Sequence, residues 1–201
     1  MLTIGIFGGT FDPPHLGHLI LASEAQSQLG LERLLWVLTP NPPHKSDQAI
    51  APLEHRLAMV RQALRDAPEF EFSSVDMDRP APHFAVDTVN ILAAQNPTAK
   101  LVYLMGGDSL RDLPHWHRPE DFVAACHCIG VMHRPGDAID MPFLETRFPG
   151  IKGKLCFVKA PLLDISAHEI RMRISTGRPF RYFLPEGIYT YISEHSLYRR
   201  L

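Results

Sequence analysis

Residues 2–30 read LTIGIFGGTFDPPHLGHLILASEAQSQLG, and this stretch decides the architecture. Residues 2–7 are a short apolar run that stops at Gly8 and Gly9, the pattern of a buried strand entering a tight loop. From Leu16 the apolar positions fall at helical spacing (Leu16, Leu19, Ile20, Leu29), and Gly30 is placed to end that helix. A second apolar run, residues 34–39, follows directly. Strand, helix and strand within about 40 residues make a βαβ unit, which requires a parallel pair joined by a right-handed crossover.

The same alternation continues along the chain. Spacing predicts helices at 53–66, 86–95 and 120–126, and strands at 70–74, 101–105, 128–132 and 155–158. Two short helices are predicted at 167–175 and 186–195, and residues 137–154 carry no clear element. The expected fold class is therefore α/β, an open, doubly wound, mainly parallel sheet. We expect one domain over residues 1–201, with a small C-terminal helical part from about residue 161. In such sheets ligands lie outside the carboxyl ends of the strands, where the strand order reverses. The loops expected there hold GGTFDPPHLGH (8–18), NPPHK (41–45), GGDSL (106–110), HRPG (133–136) and ISAHEIR (165–171).

Composition removes several classes. With 201 residues, 45% hydrophobic content and a net charge of -2, the chain has ample apolar mass for a core, so disorder is not expected. No apolar run of about 18 residues occurs, and the first residues lack both a basic region and a small-residue cleavage site. The chain reads as cytosolic. Cys126, Cys128 and Cys156 cannot all pair and complete no zinc framework, so a disulfide scaffold is not expected. Two residue types are overused: 18 prolines and 11 histidines. The prolines imply many fixed turns; the histidines could bind metal, move protons, donate to anions or fill space.

The first motif separates these possibilities. A glycine pair after a strand allows close backbone approach, and Pro13 and Pro14 fix φ where a helix begins. His15 and His18 then share one face at the positive end of the helix dipole, where free N–H groups also favour an anion. Gly17 between them is read as room for a bulky ligand. Asp12, His15 and His18 are zinc-ligand types, but no HExxH accompanies them, and a helix N-terminus disfavours a cation. Neither GxxxxGK[ST] nor a GxGxxG after the first strand is present, so phosphate must be held another way.

Other motifs admit plain structural readings beside functional ones. His44 and Lys45 end a proline-stiffened loop and can donate to a phosphate, or simply be solvated. Trp116 can stack on a flat heterocycle or fill the core. Ser166 and Glu169 read as a capping box whose helix start could also hold an anion, with Arg171 reaching from the second turn. Arg134 can lie flat on a base. GGDSL also marks a class of serine esterases with Ser109 as nucleophile, but Asp112 to His115, a D-x-x-H, lies too close in sequence to serve it, and no D-x-x-H occurs near the end of the chain. A non-catalytic nucleotide sensor is a third class.

Taken with PPHK at 42–45, DT at 87–88, PHW at 114–116 and LPEGIYTYI at 184–192, these motifs resemble the H-x-G-H nucleotidyltransferase superfamily, and within it the bacterial nicotinate mononucleotide adenylyltransferases. The resemblance implies a Rossmann-like nucleotidyltransferase fold and adenylyl transfer from ATP to nicotinate mononucleotide. It implies a catalytic set of His15, His18 and Arg171, and ATP binding by Gly8, Gly9, Thr10, Phe11, Gly106, Asp108, Arg134, Ile165 and Ser166. It places His44, Lys45, Ala85, Thr88, Trp116 and His117 at nicotinate mononucleotide. Ala85 and His168 stand where the family commonly has threonine, which removes one side-chain contact and puts another in doubt. Mg²⁺ is implied as a cofactor bound mainly through ATP phosphates, with no dedicated protein metal site. Nucleic acid and membrane are not expected partners, and a monomer or small homo-oligomer is expected.

Overall fold

The computed structural model describes residues 1–42, 50–132, 139–161 and 163–199. Six strands, β1 (Thr3–Gly9), β2 (Arg33–Leu38), β3 (Phe70–Ser73), β4 (Lys100–Gly106), β5 (Cys128–Met132) and β6 (Leu155–Val158), form one sheet in the order β3-β2-β1-β4-β5-β6. All five pairings are parallel, so the expected doubly wound sheet is present, with no antiparallel strand among the described residues. The order reverses between β1 and β4. That switch point is where such sheets bind ligands.

Alternation within the strands sorts the core into two layers, because successive side chains of a strand face opposite sides. Ile4 and Ile6 of β1 join Leu35, Val37, Ile129 and Val131 beneath α3 (Ala85–Gln95), α4 (Gly107–Asp112), α5 (Pro119–Ala125) and α6 (Met141–Arg147). Phe7, Leu34, Trp36, Leu38 and Leu104 face the other way, against α1 (Leu16–Gln28) and α2 (Leu53–Arg65). A third cluster joins Met59 and Ala63 of α2 to Ile170 and Ile174 of α7 (Ala167–Ser175) and Ile188 and Ile192 of α8 (Glu186–Glu194). The helical part beyond residue 161 is thereby fixed to the outside of α2, with the start of α7 beside the loop that follows β1.

Some expectations are corrected. β1 runs through Gly8 and Gly9, which pair with Val37 and Leu38, so the loop opens later than an apolar count suggests. The GDSLRD stretch is itself a helix, α4, and α6 lies in the segment that showed no pattern. Cys128 and Cys156 are joined as a disulfide between the neighbouring strands β5 and β6, a bridge not foreseen from three cysteines. Cys126 is buried and free, and burial pushes its thiol up to about 12, which makes it unreactive.

Candidate active site

Two cavities open at the carboxyl edge of the switch point. The first, about 260 Å³, is walled by Phe7, Phe84, Tyr103, Trp116, His83 and His117, and its lining includes Gly8, Gly9, Thr10, Thr39, Ala85, Thr88, Gly106 and Ser109. The second, about 250 Å³, is lined by Gly9, Thr10, Phe11, Asp12, His18, Ile50, Ala167 and Arg171. One is dominated by rings and the other by charged and polar groups. Gly9 and Thr10 belong to both, so the cavities adjoin at the end of β1.

The glycine pair makes this junction possible. A side chain on Gly8 would come within 2.9 Å of the Tyr103 hydroxyl, and one on Gly9 within 2.9 Å of the Phe11 ring. Phe11 takes φ 47, and its ring stacks on Trp36 at 4.9 Å and meets Phe7 and His18 edge-on. Its side chain is 2% exposed. Phe11 therefore meets the cavity through little more than its backbone, because so large an apolar ring is held in the core.

His15 caps α1 and is 4% exposed, while His18 in the first turn lines the second cavity. Their rings stack with centroids 3.7 Å apart and 29° between planes. The His15 backbone N–H donates to His18 Nδ1 at 3.1 Å, which leaves the proton of neutral His18 on Nε2. His18 is thus held as a hydrogen-bond donor. The reading of Gly17 as room for a ligand is corrected: a methyl group there would lie 3.0 Å from His15 Nδ1 and 3.6 Å from the Ile165 carbonyl. The space is taken by the His15 ring. Gly17→Ala is accordingly expected to displace the histidine stack by a few tenths of an ångström and lower kcat about tenfold with little change in Tm, as read by steady-state kinetics beside a thermal melt.

Arg171 projects from α7 and donates through Nη1 to the Asp12 carbonyl at 2.7 Å. The same nitrogen lies 3.8 Å from Asp12 Oδ2. Asp12 Oδ1 accepts from the Tyr198 hydroxyl at 2.7 Å and from the Ala51 N–H at 3.3 Å. Behind this group Arg56 of α2, 3% exposed, donates to the carbonyls of Ala51, Thr10, Thr39 and Pro40 at 2.6–3.1 Å. Desolvation lowers the Arg56 pKa, opposed by the nearby Asp12. One guanidinium therefore ties together the loops after β1 and β2.

The aromatic cavity has its own buried support. Asp76 Oδ1 accepts from the Thr88 hydroxyl at 2.7 Å and from Arg79 Nη2 at 2.9 Å, and Arg79 Nη2 also donates to the Phe84 carbonyl at 3.2 Å. Phe84 stacks on His117 at 4.0 Å, joining the start of α3 to the turn that carries Trp116. Burial drives the Tyr103 phenol far above its ordinary range, so it stays neutral.

Most of the expected residues converge here. Gly8, Gly9, Thr10, Gly106, Ala85, Thr88, Trp116 and His117 line the first cavity, and His18, Arg171, Gly9, Thr10 and Phe11 the second. Others stand apart. Asp108 is exposed in the first turn of α4, and Ile165 packs with the α7–α8 core. Ser166 caps α7 by accepting from the Glu169 N–H at 3.1 Å, but Glu169 turns to Arg173 and Arg178, so the reciprocal half of the capping box is not made. His44, Lys45 and Arg134 lie outside the described residues. Sequence reasoning missed Arg56, Asp76, Arg79 and Tyr198. Arg56 alone left a signal: it recurs with Met59, Val60 and Ala63 on the buried face of α2, where a charge needs a reason. Among the described residues, no group of three or more His, Cys, Asp and Glu is arranged to hold a metal ion, and no helix is long and apolar enough to cross a membrane.

The fold and this edge are those of the cytidylyltransferase-like class, whose family model matches residues 6–173. A protein of Thermomicrobium roseum is 44% identical over 99% of this chain and 92% of its own, and one of Roseiflexus sp. is 42% identical over 98% of both. Each is named a probable nicotinate-nucleotide adenylyltransferase, and the chain belongs to that family. Among solved structures, Plasmodium falciparum nicotinic acid mononucleotide adenylyltransferase complexed with NaAD superposes with a TM-score of 0.81 at 18% identity, covering 98% of each chain. That likeness concerns the fold.

Proposed function

We propose that this chain transfers the adenylyl group of ATP to nicotinate mononucleotide, giving nicotinate adenine dinucleotide and pyrophosphate in NAD biosynthesis. The observation that carries the reading is the meeting of a ring-lined cavity and a charged cavity at Gly9 and Thr10. A flat pyridine ring suits the first, against Trp116, and a polyphosphate suits the second, against His18 and Arg171. The family relationship supports the same pair of substrates.

In this reading the mononucleotide's phosphate oxygen attacks the α-phosphorus of ATP in line. The new P–O bond forms as the bond to pyrophosphate breaks, and the nucleophile is already ionised, so no general base is needed. Catalysis is positioning and charge stabilisation. His18 donates Nε2–H to the phosphates, with His15 stacked behind it as the second imidazole of the pair. Arg171 and the Ser166-capped start of α7 hold the leaving pyrophosphate, and Gly8, Gly9, Thr10 and the Phe11 backbone approach the nucleotide. Gly106, Asp108 and Arg134 are assigned to the adenosine part, and Ile165 to the same nucleotide through its backbone. His44 and Lys45 take the acceptor phosphate, while the backbone at Ala85 and His117 meets the pyridine carboxylate and Thr88 braces that wall through Asp76.

Asp12 is the carboxylate of the charged cavity, and its Oδ1 is engaged by Tyr198 and Ala51; this fits Mg²⁺ carried on the ATP phosphates rather than in a protein cage. When bound, Mg²⁺ supplies charge neutralisation to the polyphosphate. The reading takes residues 1–201 as one nucleotidyltransferase domain whose helical portion from about residue 161 contributes Arg171, working in the cytoplasm as a monomer or small homo-oligomer.

The test is acceptor-dependent pyrophosphate release, with nicotinate and nicotinamide mononucleotides compared. Release that requires the nicotinate form is expected; release with neither acceptor rejects the enzyme reading. Trp116→Ala should raise the KM for the mononucleotide roughly tenfold, about 1.4 kcal/mol of lost stacking, while moving the KM for ATP less than about twofold. Initial rates with each substrate varied in turn check this.

A further inference from the structure

We propose that Tyr198, in the segment following α8, is a positioning residue for the triphosphate: its hydroxyl holds the Asp12 carboxylate so that Arg171 remains available to the phosphates. The inference rests on the adenylyl-transfer reading above and adds to it a residue outside every motif considered so far.

The charged cavity must receive a polyanion, yet its lining contains the Asp12 carboxylate, on a residue only 4% exposed. A buried carboxylate beside phosphate opposes binding unless it is compensated. Asp12 has two kinds of partner here. Tyr198 Oη donates to Oδ1 at 2.7 Å with the Ala51 N–H at 3.3 Å, whereas Arg171 Nη1 stands 3.8 Å from Oδ2 and spends its short 2.7 Å bond on the Asp12 carbonyl. Arg171 is therefore close to the carboxylate without being captured by it. Without the tyrosine hydroxyl, the strongest donor left within reach is that guanidinium, and a closed Arg171–Asp12 pair would withdraw it from the ligand.

The chain is shaped to deliver this hydroxyl. Ser196 and Tyr198 adopt φ 51 and 62, the left-handed region that non-glycine residues enter only when surroundings hold them there. The Tyr198 ring packs against the α2–α7–α8 core, so the phenol is anchored from one side and bonded from the other. Desolvation and the adjacent Asp12 push its pKa far upward, which keeps it a donor at any working pH. The hydrogen bond spans residues 12 and 198, and so couples the loop after β1 to the last helical segment.

The experiment is Tyr198→Phe, which removes only the hydroxyl. Expected is a rise of about fivefold or more in the KM for ATP, the scale of one hydrogen bond to a charged group, with the KM for the mononucleotide within about twofold of wild type. The effect should vanish in an Arg171→Ala background, because the two residues act on one group. An unchanged KM for ATP, an equal rise for both substrates, or the same increment without Arg171 would each overturn the proposal. ATP affinity is measured by titration calorimetry alongside. A chain that forms no dinucleotide but loses ATP affinity on Tyr198→Phe would refute the adenylyl-transfer reading and keep the positioning role. Dinucleotide formation with ATP affinity intact in the variant would refute the role alone, and a chain with neither transfer nor ATP binding would refute both.

Discussion

His18→Ala is expected to lower kcat for adenylyl transfer by at least about 100-fold, roughly 3 kcal/mol, while leaving Tm near wild type. The magnitude is that of one preorganised donor removed from a site where charge grows in the transition state. The direction follows from geometry. The His15 N–H occupies Nδ1, so Nε2–H is the proton His18 can offer, and the ring is fixed by its stack on His15, its edge contact with Phe11 and its tilted contact with Phe7. A donor held in this way needs no reorganisation during the reaction. Single-turnover rates at saturating ATP distinguish lost chemistry from lost binding, and a variant that keeps wild-type turnover would remove His18 from the catalytic set.

Arg56→Leu is expected to destabilise the fold by about 3–5 kcal/mol, the range for breaking a buried charged network from one side. Leucine fills part of the volume but leaves the carbonyls of Ala51, Thr10, Thr39 and Pro40 without their donor. Arg56→Lys should recover only part of the loss, since an ammonium cannot span four acceptors in the plane of a guanidinium. Urea unfolding of both variants checks the size and the order. Because Thr10 and Thr39 line the ring-walled cavity, residual enzyme at low temperature should also bind the mononucleotide more weakly.

These two residues illustrate what the sequence made readable. His18 sits in a string whose glycines, prolines and histidines serve one geometry, so motif and position agree before any coordinate is known. The sheet was equally open to reading, because strands buried on both faces appear as apolar runs and β1, β2 and β3 are each followed by a helical period. Arg56 was hidden. Its function is to satisfy carbonyls of two loops remote in sequence, and carbonyls carry no residue identity, so no motif announces it. Tyr198 was hidden for a related reason, since its partner Asp12 is 186 positions away. Gly17 was read with the correct physics and the wrong occupant: a gap was foreseen, and the neighbouring imidazole fills it. α4 escaped notice because a six-residue helix offers too few positions for a period to show.

The division of the histidines follows from the same geometry. His18 faces the charged cavity, His15 backs it, and His83 and His117 line the ring-walled one. His55 contacts the Tyr191 hydroxyl at 3.0 Å between α2 and α8, a bond within the helical packing. Five of the eleven histidines are thus placed by packing and cavity geometry, and among the described residues none belongs to a group arranged to hold a metal ion.

The central claim is that the junction at Gly9 and Thr10 joins the α-phosphate of ATP to the phosphate of nicotinate mononucleotide. It is tested most directly with ATP labelled at its α-phosphate, incubated with enzyme, Mg²⁺ and nicotinate mononucleotide, and resolved by chromatography. The account predicts label in nicotinate adenine dinucleotide, equimolar with unlabelled pyrophosphate. Label recovered in AMP, or left wholly in ATP, would contradict it.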